Sequence, residues 1–201
     1  TIMEILNTIW NALTQPNELV YKLLLFPLAI IEALVILLLF TYLLNIPSNK
    51  KQKFLYVLLA AIFSTLSRSI IPTPYSTIIN ILLLLLIIVL LFKVNIIKAI
   101  TSILIPFTIT ALFEMLISKV FPYITGHPYE LVFTIPLYRV EFALFIYLCT
   151  FMLYLCLKQF KISITILDNL SAKNKSALIF TIVLGFLAIY VQLYITFFYS
   201  T

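Results

Sequence analysis

An all-α integral membrane protein is the fold class this sequence predicts: a six-transmembrane-helix bundle preceded by a short amphipathic interfacial helix. Three observations predict it. Of 201 residues, 64% are hydrophobic and only 10% charged, with a mean hydropathy of +1.19; a soluble domain holds about 45–50% apolar and about 25% charged residues. The apolar residues gather in runs near the length a helix needs to cross hydrocarbon, about 20 residues. Finally, the chain has only two glycines, no alternating apolar and polar strands and no hairpin turn pairs, so a β-barrel has no support. A helix satisfies its own backbone groups in lipid and is the structure that remains.

The elements follow in order. Residues 1–15 contain IMEILNTIWNAL, in which Ile2, Ile5, Leu6, Ile9 and Leu13 recur at helical spacing, with Glu4, Asn7, Thr8 and Asn11 on the other face. This segment is too short to span and reads as an interfacial helix anchored by Trp10. Gln15-Pro16-Asn17-Glu18 then turns the chain into a transmembrane domain covering 16–201. Six spans are predicted, at Leu19–Ile46, Phe54–Ile71, Thr77–Phe92, Ile96–Phe121, Leu131–Leu157 and Ala177–Tyr199. The third is the purest, with ILLLLLIIVLLF over Ile81–Phe92. Pro27, Pro106 and Pro136 are each expected to interrupt a span.

Lysine and arginine in short loops set the orientation. Lys50, Lys51, Lys53, Lys93, Lys98, Lys158, Lys161, Lys173 and Lys175 all fall on one side if the spans alternate, nine of the 13 basic residues. That side is expected in the cytoplasm, which places both termini of this chain outside a bacterial cell membrane. The basic loops are read as topology signals and contacts to anionic lipid, not as a nucleic-acid surface.

Against this background the ionisable residues within spans are functional candidates by default. Arg68, Glu114, Arg139 and Glu141 fall at a common depth in the outer half, and Glu32 lies deeper, near the centre of span one. Three readings of the cluster stay open: ion pairs that lock the bundle, an outward-facing ligand pocket, and a proton or ion path. The last is weakened because the inner half lacks acids to continue a relay. For Glu32 two states stay open, a pair with an arginine admitted by the Pro27 kink, or a protonated carboxyl donating to a neighbouring helix. The second is favoured, with Arg68 and Arg139 expected to pair with Glu114 and Glu141. The outer loop FPYITGHPYE supplies Tyr123 and Tyr129 as a candidate lip. The expected ligand-binding set is therefore Glu32, Arg68, Glu114, Tyr123, Tyr129, Arg139 and Glu141.

No catalytic motif stands beside these residues. His127 is an isolated loop histidine without a second ligand at metal spacing, and no nucleotide loop or hydrolase elbow occurs. Neither a metal nor a cofactor is expected. Cys149 and Cys156 lie seven residues apart in one apolar run, roughly 10 Å along a helix, which is too far for a disulfide.

MEILNTIWNAL followed by Pro-Asn-Glu, the ISITILDNLSAKNKSALIF loop and the closing IYVQLYITFFYS resemble the N-terminal sensor region of Agr-like clostridial quorum-sensing histidine kinases with a GHKL-type ATPase. The resemblance implies a membrane receptor domain that binds a small extracellular peptide and relays it to a cytoplasmic kinase, with the parent protein a homodimer. This chain has no phospho-acceptor histidine segment and no ATP-binding boxes, so it is expected to hold no catalytic module of its own, and a seventh span would be needed to reach a cytoplasmic kinase.

The alternative is the membrane substrate-binding component of an uptake transporter, suggested by the small-residue pair Ala29-x-x-x-Ala33, which could pack against a partner helix. An Agr-type membrane protease of similar size is disfavoured because His127 and Cys149 lie far apart in the sequence and His127 is placed outside.

Overall fold

The computed structural model describes residues 2–71 and 75–164, together with positions 183, 185, 187 and 190. Among these residues the protein is all-helical, with six α-helices, one 3-10 helix and no strand. The helices are α1 (Ile2–Thr14), α2 (Glu18–Leu43), α3 (Lys50–Ile70), α4 (Tyr75–Phe92), α5 (Ile96–Thr125) and α6 (Pro136–Gln159), with the 3-10 helix at Tyr129–Phe133. Helices α2 to α6 are each long and apolar enough to cross a membrane. The chain is a multi-pass membrane protein. Of the sixth predicted span, Ala177–Tyr199, only Val183, Gly185, Leu187 and Tyr190 are described, all helical; the rest lies outside the described residues, as does the loop carrying Lys173 and Lys175.

Asparagine starts three of the spans. The Asn17 side chain accepts from the Val20 amide at 3.1 Å, and Asn95 accepts from the Lys98 amide at 2.8 Å. Asn49 accepts from the Gln52 amide at 2.8 Å while Gln52 accepts from the Asn49 amide at 2.9 Å, a reciprocal capping box. These caps occupy amide donors that the first helical turn leaves without partners. Gln52 also donates to the Leu91 carbonyl at 2.7 Å, tying the start of α3 to the end of α4.

The first four predicted spans hold as helices, with ends shifted by a few residues. The fifth differs. Residues 129–133 form a separate 3-10 turn, and α6 begins at Pro136. Pro136 therefore opens a helix, where its missing amide is no loss, and does not interrupt one. Pro27, Pro106 and Pro122 are the prolines inside helices. Helix α5 runs on past Phe121 to Gly126, whose φ of 71° makes the left-handed cap and whose amide donates to the Pro122 carbonyl at 2.9 Å.

Sequential helices pack side by side, and α2 also contacts α5 and α6, so the five spans close on one another. Near the lysine-bearing end the core centres on Phe40, Tyr56 and Phe92, with ring centroids 5.4–5.9 Å apart. Near the other end Phe121, Tyr129, Val132 and Phe142 form a second cluster. Hydroxyls of Thr101, Ser102, Thr108 and Thr110 bond back to carbonyls of the preceding turn of α5, so they need no water in the interior.

Large apolar side chains cover the outside. On α4, Ile78, Leu82, Leu86 and Leu90 recur every fourth residue and are all exposed. The opposite side of the same helix carries the buried Ile88 and Phe92. A stripe of this kind is unfavourable in water and ordinary against lipid tails. Ala29 and Ala33 are both buried within the chain, so this small-residue pair faces the bundle's own helices and is not free for a partner.

Candidate functional site

Helix register brings the charged residues to one end of the bundle. Counted from the lysine-bearing end, Arg68 stands 18 positions past Lys50 and Glu114 stands 18 past Ile96, about 27 Å along each helix. Arg139 is 20 positions before Gln159, about 30 Å along. Glu32 and Tyr147 are 11 and 12 positions before Leu43 and Gln159, about 17 Å along. The four charges thus form a graded set, deepest at Glu32.

All four line one cavity of about 340 Å³ enclosed by α2, α3, α4, α5 and α6. Its polar wall also includes Ser76, Asn80 and Tyr147, and its apolar wall includes Ile81, Leu84, Ile103 and Phe107. At the inner end stands Tyr56, almost wholly buried.

Glu32 and Arg68 form the closed part of the site. Arg68 Nη2 lies 3.1 Å from Glu32 Oε1 and 3.0 Å from Oε2, and the Tyr147 hydroxyl donates to Oε2 at 3.3 Å. This corrects the expectation that Arg68 pairs with Glu114 or Glu141 and leaves Glu32 to a neutral contact. The long guanidinium arm reaches down the α2–α3 interface to the deeper carboxylate. One nitrogen faces both oxygens, so the contact is not the two-nitrogen fork that arginine makes at its best.

Arg139 and Glu114 form the open part. Both face the same cavity as Glu32 and Arg68. Yet among the described residues neither Arg139 nor Glu114 forms an ion pair, and Arg139 Nε is buried with no hydrogen-bond partner. Asn80 Oδ1, on the same cavity wall, is likewise buried and unpartnered. Interior polar atoms usually find partners, so two orphans in one cavity are a specific observation.

Three predicted site residues lie elsewhere. Glu141 is two positions from Arg139, a rotation of about 200° on a helix, which turns it away from the wall that Arg139 shares with Ala143 and Ile146. Tyr123 is 90% exposed and does not line the cavity. Tyr129 is buried, packed edge-on against Phe133 and Phe142 at 5.3 and 5.2 Å, so it belongs to the core and not to a rim. His127 stacks on Tyr138 with ring centroids 4.5 Å apart.

Sequence reasoning missed Asn80 and Tyr147. Both left a signal. Asn80 and Thr77 are the polar residues of the otherwise apolar run Thr77–Phe92, three apart and so on one face. Tyr147 continues the helical stripe that starts at Arg139 and passes through Ala143 and Ile146.

Fold and site together define a multi-pass helical membrane protein with a charged internal cavity. No family model, curated protein or solved structure matches the chain. No group of three metal-ligating side chains comes together among the described residues, and Cys149 and Cys156 are unbonded thiols. The arrangement is suited to holding a small amphipathic molecule: apolar walls take its body and fixed charges orient it.

Proposed function

We propose that this chain is a ligand-sensing membrane domain that takes a small extracellular molecule, a peptide in our reading, into the cavity between its spans. The observation that carries this is the cavity itself, about 340 Å³ and lined by five helices, with Arg139 and Glu114 forming no ion pair among the described residues. A purely structural cluster would close its ion pairs, as Glu32 and Arg68 do. In this reading the lysine-bearing end faces the cytoplasm by the positive-inside rule, the charged cavity lies toward the outside, and α1 rests in the interface with Trp10 exposed.

The relay works by population shift. Ligand bound between α4, α5 and α6 favours one packing of those helices against the α2–α3 pair, and that packing is passed on. The receiver is a cytoplasmic histidine kinase outside this chain, as the resemblance to Agr-like sensors implies. The sixth span and a parent homodimer belong to the same proposal.

The test is thermal stabilisation of the nanodisc-embedded protein by the small-peptide fraction of medium conditioned by the source cells. The expected result is a rise in melting temperature that protease treatment of the fraction abolishes, since bound ligand stabilises by mass action. Arg139→Ala and Glu114→Ala should remove the rise. A rise that survives both substitutions refutes the site, and no rise refutes the reading.

A further inference from the structure

The cavity's unmet groups come as a matched set. Among the described residues, Arg139 offers a buried Nε donor without an acceptor, and Asn80 Oδ1 offers a buried acceptor without a donor. Glu114 supplies a carboxylate that forms no ion pair among the described residues. Arg139 and Glu114 both line the cavity, and among the described residues no ion pair joins them. Arg68, by contrast, is already committed to Glu32 at 3.0 Å. The remaining wall is largely apolar, from Ile81, Leu84, Ile103 and Phe107.

We infer that the cavity selects a small zwitterion with an apolar body, its carboxylate received by Arg139 and its ammonium by Glu114 and Asn80 Oδ1. This rests on the ligand-sensing reading and names the chemistry of the ligand. A molecule with one charge would satisfy one side and leave the opposite charge buried and unpaired, and sites built this way discriminate strongly against the incomplete analogue. A formally neutral ligand also suits a wall that carries two basic and two acidic side chains. Two sources share this chemistry, a free apolar amino acid and a short linear peptide with free termini; they differ in the separation of the two charges.

The experiment measures affinity for the full chain in nanodiscs by calorimetry. One arm compares L-phenylalanine with 3-phenylpropionate, which lacks the ammonium, and phenethylamine, which lacks the carboxylate. The other compares L-leucyl-L-phenylalanine with its N-acetyl and C-terminal amide forms. In at least one arm the zwitterion should bind about ten- to a hundred-fold tighter than both single-charge analogues, the range expected for one charged hydrogen-bonding partner; the arm that does so identifies the source. Glu114→Gln should then weaken the zwitterion without weakening the acid-only analogue, and Arg139→Gln should weaken the zwitterion without weakening the amine-only analogue.

Equal binding of zwitterion and analogues in both arms overturns the inference, as does an unchanged preference in both variants. If neither zwitterion binds while the conditioned-medium fraction still stabilises the protein, the zwitterion inference falls and ligand sensing stands.

Discussion

Replacing Glu32 by leucine should destabilise the bundle by about 3 kcal/mol, because it leaves the Arg68 guanidinium between helices without its counter-charge. Removing one partner of a buried pair costs about 3–5 kcal/mol. The lower end applies here, since the two side chains keep 31% and 24% of their surface exposed and a single guanidinium nitrogen makes the contact. The paired replacement Glu32→Leu with Arg68→Met removes both charges and fills the space with apolar atoms, so it should return to within about 1 kcal/mol of the starting protein. Arg68→Met alone should cost about as much as Glu32→Leu, so the pair together costs about 5 kcal/mol less than the sum of the two single changes. Unfolding in mixed micelles by stepwise addition of SDS, followed by near-ultraviolet circular dichroism, measures each corner of the cycle. Strictly additive costs, within about 0.5 kcal/mol, would show that the two residues do not act together across α2 and α3 and would refute the pairing.

The same unfolding assay checks four further expectations. Tyr147→Phe removes only the hydroxyl that donates to Glu32 at 3.3 Å and should cost about 1 kcal/mol. Tyr129→Ala should cost about 3–5 kcal/mol, as expected for an aromatic ring packed against Phe133 and Phe142. Tyr123→Ala, at 90% exposure, should stay within about 0.5 kcal/mol. Gly126→Ala meets no atom within 4 Å, so its cost is the left-handed backbone alone, about 1 kcal/mol.

Much of the bundle was legible because the forces that build it are local and periodic. Leu82, Leu86 and Leu90 announce a lipid-facing helix by type and spacing, and Asn17, Asn49 and Asn95 stand at helix starts in the sequence itself. The depth of the charged set follows from counting residues along each run, so Arg68, Glu114 and Arg139 stand out as one layer in the sequence alone. Partners were not legible. Arg68 reaches Glu32 because its side chain extends along the helix interface by several ångströms, a distance that positional counting ignores.

Direction around the helix is legible at Glu141, where a two-residue step from Arg139 already sends it to the opposite side. The burial of Tyr129 is illegible for another reason. A loop tyrosine between prolines resembles a surface residue in composition, and only the fold of the 3-10 turn over Phe142 carries it inside.

The helix ends at the basic side hold one more consequence. Asn45, Lys93 and Lys161 follow the ends of α2, α4 and α6 with φ of 48°, 52° and 54°, a conformation that glycine adopts freely and other residues only at about 1 kcal/mol or more. Two of the three are lysines. Glycine there would relax the backbone and strengthen the finished bundle, yet it would also delete charges that a membrane reads when it decides which loops to translocate. Thermal robustness and insertion direction therefore pull on the same two codons in opposite senses. A version engineered for stability at Lys93 and Lys161 would be expected to gain heat resistance and lose uniformity of topology, and the two effects would have to be selected for separately.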